Sequence, residues 1–317
     1  MTRKIILDCD PGQDDAVALL VALAAPDALD VLGITAVAGN VPQALTARNA
    51  RLLRDLADRP DIPVCAGCER PMVRPLVTAE SVHGSTGIDG MEAGEPSGPL
   101  DPRHGVDFII ESLRGAAEAE VTLVPTGPLT NIAMAIVKAP DILPNIAEIV
   151  LMGGAMREGG NFSPSAEFNM LVDPHAADVV FRCSRPITVF GLDVTHQVLA
   201  TPDRIERIRD LNSRVADAVA GMLGYFNRHD SAKYNSEGAP LHDPCTVAYL
   251  LASSLFTFKS CNISVETGSE LTMGHTAVDF WHVTDRPANA QWAHGVDAEG
   301  FFALLTDYLG RYGGEAR

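Results

Sequence analysis

Short apolar runs at 4–7, 31–37, 62–65, 121–124, 148–152 and 187–190 are separated by helical patterns at 14–25, 43–57, 106–117, 130–138 and 174–182. Alternation repeated this often, with short strands rich in Val, Ile and Leu, predicts a mostly parallel sheet covered by helices on both faces. After residue 200 the pattern changes: 202–229 reads as a helix or helix pair, 244–252 and 297–311 as helices, and 261–266 and 280–284 as short strands. No repeat or clear linker interrupts the chain, so the expectation is one α/β domain over 1–317 with a Rossmann-like open sheet. The Gly/Pro-rich segments 67–104 and 229–242 are long connections, a length usually found where a loop is functional or mobile.

Lys and Arg number 24 against 41 Asp and Glu, a net charge of −17. That balance argues against nucleic acid or an anionic membrane as partner, since both need a basic face. No run approaches the ~18 apolar residues of a membrane span, and the charged start Met-Thr-Arg-Lys leads into a strand rather than a signal peptide. Six cysteines in 317 residues are too few for a disulfide scaffold, so reduced thiols and a cytoplasmic location are expected. Cys65 and Cys68 form a CxxC without further ligands at zinc spacing and without the helix start that redox chemistry needs.

The unusual polar residues gather where strands end. Asp8, Asp10, Asp14 and Asp15 fall within eight positions around Pro11-Gly12, which breaks the first strand. Thr35 to Asn40, Thr126, Met152-Gly153-Gly154 and Asp193 each close a later strand. In open parallel sheets that edge binds ligands. Helix-end electrostatics explains one or two carboxylates in a first turn. A cluster of four calls for a cation or a proton to hold it together. Further oxygen ligands can come from Leu241-His242-Asp243-Pro244, where capping is the competing explanation for Asp243. Asn161, Glu167 and Asn169 lie in a segment with no basic residue between 158 and 174, which suits sugar hydroxyls rather than phosphate.

Taken together, Asp8-Cys9-Asp10-Pro11-Gly12-Gln13-Asp14-Asp15-Ala16, Ala38-Gly39-Asn40-Val41, the His83–Gly90 loop, Pro125-Thr126-Gly127-Pro128-Leu129-Thr130-Asn131, the 160–174 segment and Leu241–Pro244 resemble the motifs of the inosine/uridine-preferring nucleoside hydrolases. The resemblance runs in order over residues 5–250. It implies Ca²⁺-dependent hydrolysis of ribonucleosides to ribose and free base in nucleoside salvage. Carried onto this chain, Asp10, Asp15 and Asp243 and the Thr126 carbonyl would hold the ion. Asp10 would act as general base and His242 as leaving-group acid. Asp14, Asn40 and Asn169 would meet the ribose, Asn161 and Glu167 its 5′-hydroxyl, and His83 and Met152 would also contact substrate. Relatives assemble as dimers or tetramers, which implies a homo-oligomer here.

Aromatic residues near the base are harder to align: Tyr225, His229 and Tyr234 each qualify, while Phe226 and Met222 read as core. Two other functions fit parts of the pattern. Asp8-x-Asp10 is found in haloacid-dehalogenase-type phosphatases, although Asp14 and Asp15 add negative charge where phosphate would sit. A Ca²⁺-dependent sugar- or nucleoside-binding protein would keep the ion and the polyol contacts, yet has no use for both Asp10 and His242.

Overall fold

A computed structural model describes residues 2–313 apart from Ala93 and Asn235, and for 229–234 the backbone alone. The strands are β1 (Arg3–Cys9), β2 (Leu29–Ala36), β3 (Val64–Ala66), β4 (Val121–Pro125), β5 (Ile146–Met152), β6 (Ile187–Phe190), β7 (Leu199–Ala200), β8 (Ala239–Pro240), β9 (Phe256–Cys261), β10 (Ile263–Val265), β11 (Thr276–Val278) and β12 (Ala290–Val296). Eight form the main sheet in the order β3-β2-β1-β4-β5-β6-β12-β9. All its neighbours run parallel except β9, which is antiparallel to β12. β7–β8 and β10–β11 are separate antiparallel pairs.

Helices cover both faces, and β1 shows why. Ile5, Leu7 and Cys9 enter the core with helices Gln13–Leu23, Arg214–Tyr234 and Ala298–Gly310. Ile6 enters the opposite core with Gly105–Arg114, Thr130–Lys138 and Pro174–Phe181. A strand buried on both faces reads as a continuous apolar run, which is what residues 4–7 display. The chain leaves β1 for β2 on one side, and after β3 crosses to β4 on the other. The crevice between the carboxyl ends of β1 and β4 is therefore the topological switch point. It is closed by a hydrogen bond from Thr126 N to Asp8 O at 2.8 Å.

Several expectations needed correction. The run 62–65 pairs only from Val64, because Pro63 has no N–H to donate. The helix or helix pair expected over 202–229 is indeed a pair, Pro202–Arg209 and Arg214–Tyr234, separated at Asn212 with φ of 53° and restarted by Ser213, whose Oγ accepts from Ala216 N. The run 261–266 is split between β9 and β10. Residues 280–284 are a turn: the Asp279 carboxylate accepts from Val283 N, Thr284 N and the Thr284 hydroxyl. Unanticipated β12 is a main-sheet strand whose exposed Gln291 and His294 flank buried Trp292 and Ala293. Among the described residues no helix is long and apolar enough to cross a membrane.

Candidate active site

The Pro11-Gly12 break carries the chain out of β1 and into helix Gln13–Leu23, so that Asp14 and Asp15 occupy its first turn. Asp15 does cap this helix, accepting from Gly12 N at 3.0 Å, but its other oxygen reaches across the switch point to the Thr126 hydroxyl at 2.7 Å. Asp243 begins helix Pro244–Leu251 without any side-chain capping bond, so the capping explanation does not account for it. Asp14, Asp15 and Asp243 bring carboxylate oxygens within 4.8 Å of one another.

Asp10 is wedged beside them. Its Oδ2 accepts from Asn40 N at 2.7 Å, while Oδ1 is buried without a hydrogen-bond partner. The backbone approaches this carboxylate from two loops. A Cβ at Gly39 would fall 2.0 Å from Oδ2, and one at Gly127 would fall 2.4 Å from Oδ1. Both glycines of Ala38-Gly39-Asn40 and Thr126-Gly127-Pro128 are thus required by close approach. Asn40 Nδ2 donates to Asp10 O at 3.1 Å and to Asp15 Oδ2 at 3.3 Å, joining the loop after β2 to the segment after β1.

Asp8 takes no part in this cluster. It shares the face of Ile6, so it points beneath helix Thr130–Lys138, where its Oδ1 accepts from Thr35 Oγ1 at 2.5 Å and Asn131 Nδ2 at 2.7 Å. Asp193 also lies aside: it accepts from Met156 N and Arg157 N and holds the turn after β5.

A cleft opens over the cluster. Asp14, Asn40, His83, Thr126, Met152, Asn161, Glu167, Asn169, His242 and Asp243 all line it, with Asp10 and Asp15 buried. The remaining lining is apolar: Ala79, Val82, Phe162, Phe168 and Phe226. Phe226 is buried, as expected, but it also lines the cleft, stacked on His83 with ring centroids 5.6 Å apart and planes at 23°. Met222 is core, as expected. Tyr225 is half-buried under the Arg228 guanidinium; the His229 and Tyr234 side chains lie outside the described residues.

The polar wall is held rigidly. Asn169 Nδ2 donates to Thr126 O at 2.7 Å and Met152 O at 3.3 Å. Glu167 accepts from Asn169 N, Gly154 N and Met170 N. Asn161 Oδ1 accepts from Phe168 N at 2.9 Å. His242 Nδ1 lies 2.8 Å from the Thr195 hydroxyl, and its ring lies 5.8 Å from that of His196. Gln13, a neutral residue among carboxylates that drew no attention in the sequence, ties the His83 loop to the first helix.

Burial pushes Asp10, Asp15 and Asp243 above the usual carboxylate range, reinforced at Asp10 and Asp243 by neighbouring carboxylates. Burial also raises Glu167, and carries the Cys65 and Cys68 thiols up to about 12, away from metal or redox reactivity. No Lys or Arg lines the described cleft. An orphaned Asp10 oxygen, an all-oxygen donor set and unneutralised buried charge fit a hard divalent cation.

The chain matches the family model described as inosine-uridine preferring nucleoside hydrolase over residues 5–303. It is 48% identical over 313 residues to the pyrimidine-specific ribonucleoside hydrolase RihA of Shewanella sp. (strain ANA-3), covering 98% of each chain. It is 46% identical over 308 residues to the uncharacterized protein C1683.06c of Schizosaccharomyces pombe, covering 97% of this chain and 99% of that one. Among solved structures it superimposes on the purine-preferring ribonucleoside hydrolase from Gardnerella vaginalis with a TM-score of 0.91 at 34% identity, over 98% of this chain and 99% of that one. The plant nucleoside hydrolase PpNRh1 gives the same TM-score at 30% identity and the same coverage. The chain belongs to the inosine-uridine preferring nucleoside hydrolase family. It is therefore an enzyme of the ribonucleoside hydrolase class, which displaces the phosphatase and the non-catalytic binding readings.

Proposed function

We propose that this protein hydrolyses the N-glycosidic bond of ribonucleosides, releasing ribose and the free base, with calcium held by Asp10, Asp15, Asp243 and the Thr126 carbonyl. Asp14, whose carboxylate adjoins those of Asp15 and Asp243, borders the same ion. The observation that carries the reading is the buried carboxylate cluster at the β1/β4 switch point, roofed by a cleft whose polar groups suit a polyol. When bound, calcium supplies the charge that neutralises the cluster and polarises the ribose diol and the attacking water.

Asp10 takes the proton of that water. Asn40 N holds its Oδ2, which fixes the carboxylate beside that water. Loss of the base builds positive charge on the sugar in an oxocarbenium-like transition state. A carboxylate-rich cleft without Lys or Arg stabilises that charge. Asp14, Asn40 and Asn169 hold the ribose hydroxyls, and Asn161 and Glu167 the 5′-hydroxyl. Asn169 is fixed by its bonds to Thr126 O and Met152 O, so the sugar meets a pre-set amide. His242, oriented by Thr195, donates a proton to the departing base.

Pyrimidine ribonucleosides are the first substrates to try, because the RihA relative at 48% identity carries a pyrimidine-specific name. A salvage role in the cytoplasm and assembly as a homo-oligomer complete the reading. The test is release of reducing sugar from uridine, cytidine, inosine, adenosine and guanosine. Wild type and Asp10→Asn are compared, with and without prolonged chelation. Ribose released by wild type and lost in Asp10→Asn is expected; folded, calcium-loaded wild type that cleaves none of the five refutes the proposal.

A further inference from the structure

Gln13 is fully buried beside the carboxylates, yet its side chain turns to the loop that carries His83. Its amide nitrogen donates to His83 O at 2.9 Å and to Asp89 O at 3.2 Å. Backbone carbonyls only accept, so these two bonds decide which end of the amide is nitrogen. The amide oxygen is thereby directed at His83 Nδ1, 2.7 Å away. An amide oxygen also only accepts, so Nδ1 carries a hydrogen. A neutral imidazole has one N–H, which leaves its lone pair on Nε2. The ring cannot turn over without losing the Gln13 bond, and it is held against Phe226 on one side. There is room for the ring only because residue 12 is glycine: a Cβ there would lie 2.5 Å from His83 Nδ1.

We propose that Gln13 is a positioning residue that locks His83 in its Nδ1–H tautomer, so that the neutral ring meets the nucleoside only as an acceptor at Nε2 and reads a hydrogen-bond donor, either a base N–H or a ribose hydroxyl. It follows that His83 in its neutral form does not protonate the departing base. At His242 the geometry differs: Nδ1 lies against the Thr195 hydroxyl, which can donate as well as accept, and so permits an Nε2–H.

The tautomer can be measured whatever the substrate proves to be, whereas the donor-reading half rests on the nucleoside hydrolase reading above. Calcium-loaded, full-length protein labelled with ¹⁵N-histidine is observed by long-range ¹H–¹⁵N correlation above the histidine titration range, with His83 assigned by its loss in His83→Asn. A protonated Nδ1 and an unprotonated Nε2 are expected in wild type; the reverse pattern overturns the proposal without any variant having to fold. Gln13→Met removes the acceptor and should give mixed tautomers. Gln13→Glu keeps an acceptor but loses both donors to the loop, and should keep the Nδ1–H form. Equal behaviour of the two variants would mean that Gln13 acts only as a loop clamp.

Uridine, N3-methyluridine and 5′-deoxyuridine then locate the donor. The analogue lacking it should show a KM raised about tenfold, the effect of one lost hydrogen bond. In Gln13→Met that penalty should vanish for N3-methyluridine, or shrink for 5′-deoxyuridine, whose hydroxyl Asn161 and Glu167 also hold; in Gln13→Glu it should persist. If neither penalty depends on Gln13, the recognition half is wrong while the tautomer stands. If no nucleoside is cleaved, the fault lies with the proposed function instead.

Discussion

The stability of Asp8→Asn relative to wild type is expected to rise with pH. Asp8 is fully buried; its Oδ1 accepts from Thr35 and Asn131, while Oδ2 has no partner. Burial, aided by the charge of Asp15, pushes the carboxyl up to about 7 from an ordinary 3.8. A raised folded-state value means that the folded protein keeps a proton the unfolded chain has released. The contribution to stability is full below the unfolded value and is lost as pH rises through about 7. Between pH 5 and pH 8 the loss comes to about 3 kcal/mol, at roughly 1.4 kcal/mol for each pH unit up to the folded value.

Asparagine stays neutral throughout, and its oxygen can keep both bonds now made to Oδ1. Its NH₂ takes the place of Oδ2, a buried donor without an acceptor, which lowers stability by about 1–3 kcal/mol at every pH. The slope, rather than the absolute stability, is therefore the test. Unfolding entropy of about 2 cal/mol/K per residue gives roughly 0.7 kcal/mol/K for 317 residues. The variant's Tm relative to wild type should thus rise by about 4 °C from pH 5 to pH 8. Differential scanning calorimetry on chelated protein, where Asp15 retains its full charge effect, measures this directly. Parallel Tm-against-pH curves for the two proteins would refute the assignment of a buried, proton-holding Asp8.

Two further outcomes are expected. Calcium at 100 times its Kd should stabilise the fold by about 2.7 kcal/mol, or roughly 4 °C in Tm, and Asp15→Asn should abolish most of that shift; an unchanged Tm on titration would count against the cation site. Glu167→Gln can keep the two bonds at one oxygen from Gly154 N and Met170 N but sets an NH₂ against Asn169 N, which should lower stability by ~2 kcal/mol and erase most of the preference for uridine over 5′-deoxyuridine in kcat/KM; an unaltered preference would remove Glu167 from the 5′-hydroxyl.

The parallel core was legible because β1, β4, β5 and β6 are buried on both faces and leave unbroken apolar runs. The convergence of Asp10, Asn40 and Thr126 was legible because strand order alone carries residues at carboxyl ends to one edge. What stayed hidden depends on contacts distant in the chain. β12 carries Gln291 and His294 on its exposed positions and pairs with β6 across a hundred residues of sequence, so its seven residues show no apolar run. Phe226 follows Met222 by one helical turn, and hydrophobicity cannot say that one meets the core while the other meets His83. Gln13 gave no sign because an uncharged side chain in an acidic motif looks like a spacer. Its burial and three hydrogen bonds exist only once the loop at 80–90 has folded over it.

The Gly39–Asp10–Gly127 wedge has a consequence for how such enzymes can diversify. An added methyl on either side would drive straight into the Asp10 carboxylate, so neither Gly39 nor Gly127 can be exchanged without displacing the group proposed to deprotonate water. Change is confined to the side chains above: Ala79, Val82, Phe162 and Phe226 come from the loop, the segment and the helix that surround the opening, and none of them forms a bond to the carboxylates. If the base lies against them as proposed, a lineage can exchange one nucleobase for another there by altering shape alone. That freedom agrees with a relative named as pyrimidine-specific at 48% identity and a structure named as purine-preferring at a TM-score of 0.91.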